Sequence, residues 1–475
     1  MLFRSHYNSG ALPGVNLLFS PRVGFNYNVR GESKTQIRGG TGIFTGRPAY
    51  VWISNQIGNT GVLTGSIRQD STTAFPFNPD PDHYKPAPTG GPAANFNLAL
   101  TDPNFKFPQL WRSNIALDQR LPWGLIGTAE YLYSKNVNGI AYINANLPAA
   151  QSAFTGPDGR PRWLCVPPQP ANCQAARIQK NVTDATVLTN EGKGFSWNAS
   201  ATLERSFANG LYAKLGYSYG VSKNTVDPGS IASGSFAANF IAGDPNNPIA
   251  AYSQFNPGPR VFAAITYTRD FFKIGETSLA MYWDGRSAGT DSYIFSNDMN
   301  GDGSTNDLIY IPRNTGEMNF QQYSQTAPGA TTPTTYTVPQ QVAAWEAYIK
   351  QDPYLRAHRG EYAQRNSVIR PIVYRADLGV SQDLSRHVGG AAHGLQVRLD
   401  MLNFTNWLNK NWGVSQLLIT NRPLASQGVD ATGANLYRLN TVSQGGPLIS
   451  KSFQKAVTVN DVWRMQLGVR YMFNW

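Results

Sequence analysis

The sequence predicts an all-β protein, an antiparallel β-barrel that crosses a membrane, and three observations carry that prediction. Side-chain character alternates with a period of two in many segments. The connections between those segments are short and long in strict turn. No run of about eighteen apolar residues is present, which excludes a helical membrane protein. The mean hydropathy of −0.34 fits a barrel, because half of each strand faces water or a polar lumen. Charged residues are 15% of the chain, against roughly 25% in an ordinary soluble domain, while aromatic residues reach 12%, enough for interfacial belts.

Taken in order, Val23, Phe25, Tyr27 and Val29 alternate with Arg22, Gly24, Asn26 and Asn28, and a weaker pattern follows near 35–46. Trp111, Ser113, Ile115 and Leu117 alternate with Arg112, Asn114 and Asp118, followed by a weaker segment near 125–135. Phe195 to Glu204, Leu211 to Tyr219, Val261 to Tyr267 and Leu279 to Trp283 continue the series. Tyr374 to Val380 and Leu395 to Met401 come next. The last strand has Trp463, Met465, Leu467, Val469, Tyr471, Phe473 and Trp475 on one face and Arg464, Gln466, Gly468, Arg470, Met472 and Asn474 on the other. Its length suits a tilted bilayer crossing, and its aromatic ends suit the two interfaces. The total is about eleven strands.

Short turns are expected near 31–34, 121–124, 207–210 and 273–276, with a longer one from Ser385 to His393. Long Pro/Gly/Asn-rich loops are expected at about 47–108, 136–192, 223–258, 289–369 and 407–462. This asymmetry is that of an outer-membrane barrel, with short periplasmic turns and long extracellular loops; loops of such length are unusual in compact soluble domains. Bacterial single-chain barrels have even strand numbers, and unpaired edges in lipid cost several kcal/mol per group. Eleven strands are half of a barrel of about 22 with a plugged lumen. The N-terminus lacks the apolar stretch of a signal peptide, so the sequence is expected to begin inside a longer chain whose early strands precede it.

The net charge of +11 has two readings. It would draw the protein to lipid headgroups and lipopolysaccharide phosphates, or it reflects lumen and loop arginines outnumbering carboxylates, which is the simpler account. Nucleic acid is not an expected partner, because no basic cluster or reader motif occurs. Cys165 and Cys173, close together in a Pro-rich loop with no other cysteine in the chain, predict a local disulfide and an oxidising compartment.

The sharpest local motif is Asp298-x-Asn300-x-Asp302-Gly303-x-x-Asn306-Asp307. Side-chain oxygens at every second position followed by glycine resemble the first half of a calcium loop. A structural Ca2+ there would rigidify the 289–369 loop. Ile309 stands where an EF-hand has its bidentate glutamate, and the competing reading is a turn whose Asp and Asn side chains bond their own backbone. Val342, Trp345, Tyr348 and Ile349 predict one apolar face of a helix from about Pro339 to Lys350. Asp377, Asp383 and Asp400 fall on polar strand faces, where pairing with arginines such as Arg375 and Arg398 is expected. His6, His83, His358, His387 and His393 are scattered, and no nucleophile or phosphate-loop pattern occurs. Catalysis and a catalytic cofactor are not expected.

Ser20 to Tyr27, Ile37 to Phe44, Asp298 to Gly303 with Asn306-Asp307-Leu308, His358-Arg359-Gly360, Leu402 to Asn409 and the terminal strand together resemble TonB-dependent outer-membrane receptors. The similarity is nearest to Oar-like receptors, which carry a carboxypeptidase-regulatory-like domain, and runs from about residue 20 to the end. It implies that residues 1–475 are the C-terminal half of such a barrel, in the outer membrane of a Gram-negative bacterium. The signal peptide, regulatory-like domain, TonB-contacting segment, plug and early strands have no counterpart here. The resemblance also implies uptake or sensing of a large, scarce solute with TonB-derived energy, and an extracellular ligand held by loops. A passive porin-like channel and a soluble surface adhesin are the alternatives.

Overall fold

The computed structural model describes residues 2–3, 7–31, 34–58, 73, 75–85, 96–164, 177–179, 182–388 and 391–474. Eleven long strands dominate it: β1 (Arg22–Asn28), β2 (Thr35–Thr45), β3 (Gln109–Arg120), β4 (Ile126–Asn144), β5 (Phe195–Ser206), β6 (Leu211–Asn224), β7 (Gly258–Arg269), β8 (Thr277–Ser287), β9 (Ile372–Val388), β10 (Ala391–Leu402) and β11 (Arg464–Asn474). Each lies antiparallel to the next in sequence order, so β1 and β11 form the two edges of one open sheet.

Register keeps each class of side chain on its own face. Trp197 pairs with Tyr133, Leu203 with Leu215, and Leu399 with Leu467 on the apolar face. That face is exposed: Phe25 is 55%, Leu215 51% and Leu467 70% accessible, as befits a surface meant for lipid rather than water. Trp111–Tyr133, Trp197–Tyr219 and Trp283–Tyr374 ring pairs, 5.6–6.1 Å between centroids, lie at the strand ends that lead into the long loops. Tyr27, Trp123, Phe271 and Phe272 stand exposed at the turn end. The span between the belts, some eight residues from Leu211 to Tyr219, is roughly 20–25 Å after tilt, the height of an apolar membrane band.

The opposite face is polar and internally paired. Arg38 Nε lies 2.9 Å from Asp118, Lys214 Nζ 2.9 Å from Glu204, Arg260 Nε 2.8 Å from Asp284 and Arg398 Nε 2.7 Å from Asp400. The last pair is one the sequence suggests. Asp377 and Asp383 differ from expectation: Asp377 accepts from the Asn403 N–H and Asp383 from Gln396. Arg375 reaches instead to Asp461, in the loop before β11. An arginine on a curved sheet pairs with whatever its reach finds across strands, which residue spacing along one strand does not determine.

Two expectations about connections need correction. The β9–β10 hairpin leaves only 389–390 between its strands, not 385–393, because backbone pairing continues beyond the point where apolar alternation stops. The 136–192 and 47–108 segments are not wholly loop: β4 runs on to Asn144, and Val182–Glu191 pairs with its end and, in parallel, with Phe96–Thr101. The turns at 121–124, 207–210 and 273–276 stand where expected; at 31–34, residues 32–33 lie outside the described residues. At Asn209-Gly210 the glycine takes φ +86°, a conformation a side chain strains, and the Phe207 N–H closes onto the Leu211 carbonyl.

Candidate ligand-binding cap

The largest buried apolar cluster contains no residue of β1 to β11; it is made by the long loops. A single sheet with lipid on one side and a lumen on the other has no interior, so the loops build one above it. The helix Val338–Gln351 matches the spacing read from the sequence, with Trp345, Tyr348 and Ile349 fully buried and Val342 packed at the margin. It begins on a capping box between Thr337 and Gln340 with proline in its first turn. Its buried face meets Tyr293 to Phe295, Ile309, Ile311 and Leu355 of the same loop, and Leu424, Tyr437, Leu439 and Ile449 of the loop before β11.

Asp352 ties these loops together. One carboxylate oxygen accepts from the Leu355 N–H at 2.8 Å, and the other from Tyr293 Oη and Ser452 Oγ, both at 2.6 Å. Burial, with Tyr348 and the Asp352 charge adding to it, holds the Tyr293 hydroxyl far above its ordinary pKa, so it stays a donor. Asp461 plays the matching role at the cap's base, accepting from Ser415 N and Oγ, Thr458 Oγ1 and Arg375. Burial alone would raise its pKa, but these donors outweigh it and bring the group to about 2.

The five residues of the acidic motif fall in one turn, and four of its carboxylate oxygens accept from the turn's own amides. Asp298 accepts from Gly301 and Gly303 N–H at 2.7 and 2.8 Å, and Asp302 from Ser304 N–H at 2.7 Å. Asp307 accepts from Met299 N–H at 2.9 Å. Asn306 Oδ1 and Asp307 Oδ1 are buried without a hydrogen bond. Among the described residues no three His, Cys, Asp or Glu side chains converge as metal ligands. Burial pushes Asp302 up to about 7, with the Asp298 charge adding to it, and raises Asp307 well above the carboxylate range. The counter-charge is Arg160, wholly buried, bidentate on Asp158 at 2.8 and 3.1 Å and 3.7 Å from Asp307 Oδ1. Its guanidinium also lies 5.3 Å from the Phe295 ring and 5.0 Å from that of Tyr362. Arg177 donates to the Asp302 carbonyl and pairs with Asp184.

The acidic turn is stitched to the neighbouring loop through the Asn306 carbonyl and the Leu308 N–H, both bonded to Ile241. Arg365, 3% exposed, fixes the other side: its five N–H groups go to the Tyr252 and Thr225 carbonyls, the Asn224 carbonyl and side chain, and Asn239 Oδ1. Between these two anchors lies a cavity of about 700 Å3. Its lining comes from 159–161, 239–251, Leu308 and 361–365. A space of that size, mostly apolar, roofed by loops and placed over a barrel, suits a small-molecule ligand.

The family model described as outer membrane beta barrel domain matches residues 4–416. The chain belongs to that family. An outer membrane β-barrel chain therefore carries this cap on its loop side, and its apolar face is the lipid face. Among solved structures, the outer membrane transporter YddB from Escherichia coli is similar at 11% identity and a TM-score of 0.42, over 96% of this chain and 40% of that one. The siderophore receptor PirA from Acinetobacter baumannii is similar at 9% identity and a TM-score of 0.37, over 82% and 37%. The ferric enterobactin receptor PfeA from Pseudomonas aeruginosa, in a mutant form, is similar at 7% identity and a TM-score of 0.36, over 95% and 39%. The chain spans about 40% of the length of these structures. No curated protein matches it.

Cys165 and Cys173 lie outside the described residues. His358 bonds the Tyr354 carbonyl through Nδ1 and stacks on the Tyr354 ring, a packing role. Sequence reasoning missed Arg160, Arg365 and the cavity. No local pattern marks them, because Arg365 meets partners 113 to 141 residues away.

Proposed function

We propose that this barrel chain is the C-terminal half of an Oar-like, TonB-dependent receptor that captures a large, scarce solute in its loop cap. The observation that carries the reading is a sheet of eleven strands with two unpaired edges among the described residues, beneath a cap that has its own core. Edges with free N–H and C=O groups are untenable in lipid, so further strands must pair with β1 and β11. Eleven more would complete a barrel wide enough to hold a plug. The chain performs no chemistry in this reading; its residues hold ligand and scaffold. A structural Ca2+ at the 298–307 turn belongs to the same proposal, supported by the excess of buried carboxylate over Arg160 and by the two unbonded oxygens. The test is solute-dependent growth or uptake by cells with and without a functional TonB. Uptake only when both this chain and TonB are present supports the reading; uptake indifferent to TonB overturns it.

A further inference from the structure

We propose that the cap cavity takes an amphipathic ligand with an apolar body and a positively charged group, held by apolar walls and an acidic rim. This rests on the reading that the cap captures ligand, and names the chemistry of what it captures. The walls include Phe240, Ile241, Ile249, Leu308, Tyr362 and Ala363, and Ile249 keeps 66% of its surface open. An apolar group entering there loses water without displacing a polar partner.

The charges decide the sign of the ligand. Both arginines that line the cavity are buried, Arg160 wholly and Arg365 to 3% exposure. Every N–H of Arg365 is spent on carbonyl or amide oxygens. Arg160 is clasped by Asp158, faces Asp307 and lies against two rings. Arg160 Nη1 has no hydrogen bond but is buried, so neither arginine presents an open fork to a carboxylate or phosphate. The available charge is negative instead. Asp244 and Glu361 line the cavity and are exposed. Asp244 accepts from its own turn at the Asn246 N–H, and among the described residues neither carboxylate enters an ion pair. Lys193, on the neighbouring loop, spends its ammonium on Asn247 Oδ1 and the Pro248 carbonyl. The charged groups that an entering molecule meets first are thus two unpaired carboxylates against one ammonium, a balance that favours a cation.

Gly243 lines the same cavity, and a Cβ built on it meets nothing within 4 Å. A tryptophan there would occupy the cavity with little disturbance to the wall. The experiment is equilibrium dialysis of the full natural protein in detergent against tetraphenylphosphonium and tetraphenylborate, two ions of one shape and opposite charge, with empty micelles subtracted. The expected result is binding of the phosphonium at least about tenfold tighter than the borate. Asp244→Asn with Glu361→Gln should erase that preference while binding persists. Gly243→Trp should abolish binding of both ions while the barrel keeps its heat-modifiable gel mobility. Equal or reversed preference, or phosphonium binding unchanged by Gly243→Trp, would overturn the inference. Absence of binding by either ion would overturn it too, and would leave the TonB-dependence test above to judge the receptor reading separately.

Discussion

Arg365 and Asp302 are two buried charges with opposite consequences. Arg365 satisfies five oxygens from four residues, so Arg365→Met strands several buried acceptors and should cost about 3 kcal/mol. Lysine should not rescue it, since one ammonium cannot reproduce the guanidinium fork. Limited proteolysis of the cap checks this: both variants should be cut faster while the barrel stays folded. Asp302 works the other way. Its folded-state pKa of about 7 lies above an unfolded value near 3.9, so the folded cap holds a proton the unfolded chain releases. Stability is then greatest below about pH 4, falls between there and about 7, and stays reduced above. A cap melting transition measured in chelator should drop from pH 5 to pH 8, and Asp302→Asn should flatten that dependence. Millimolar Ca2+ at pH 8 should raise the transition of the parent protein but not of Asp302→Asn; no rise in the parent would leave the turn held by its amides and Arg160 alone. The acidic motif was legible in the sequence because an Asx turn is local chemistry, complete within ten residues. Arg160 and Arg365 were not, since a buried arginine is defined by partners that only the fold brings near.

All eleven long strands and the helix at 338–351 could be read from periodicity, because lipid on one side and water on the other impose alternation on a strand as directly as a core does on a helix. Strand ends were less legible. β4 climbs past the membrane to Asn144, where it pairs with Val182–Glu191, and there neither face needs the lipid pattern. The cap's mutual packing was invisible for a further reason: its core joins residues from 154 to 449 without a shared period. Trp345→Ala should open that core at its centre and cost about 3–5 kcal/mol, visible as early cap melting by near-ultraviolet circular dichroism with strand signal retained. On the sheet, Gly285 lies under the Tyr374 ring, where a Cβ would come within 2.6 Å. Gly285→Val should displace the Trp283–Tyr374 stack and destabilise the barrel by about 1–3 kcal/mol, lowering the temperature at which its gel mobility shifts.

At the scale of the molecule, the fold is a lipid-facing wall with a cap built by its long loops. Its apolar face needs a bilayer; in the receptor reading proposed above, its lumen also holds a plug and its two edges pair with further strands. The charge pairs along the lumen face give each other little energy, about 0.2–1 kcal/mol apiece at such exposure. The cap above supplies what the wall lacks, a rigid body with a cavity. The most direct measurement of this account is the intact mass of the denatured native protein from isolated outer membranes, beside its native oligomeric state. The expected result is one polypeptide far heavier than 52.1 kDa, monomeric, whose extra strands pair with β1 and β11. A polypeptide of this chain's own mass, whether closed alone or paired with a second copy, would contradict it.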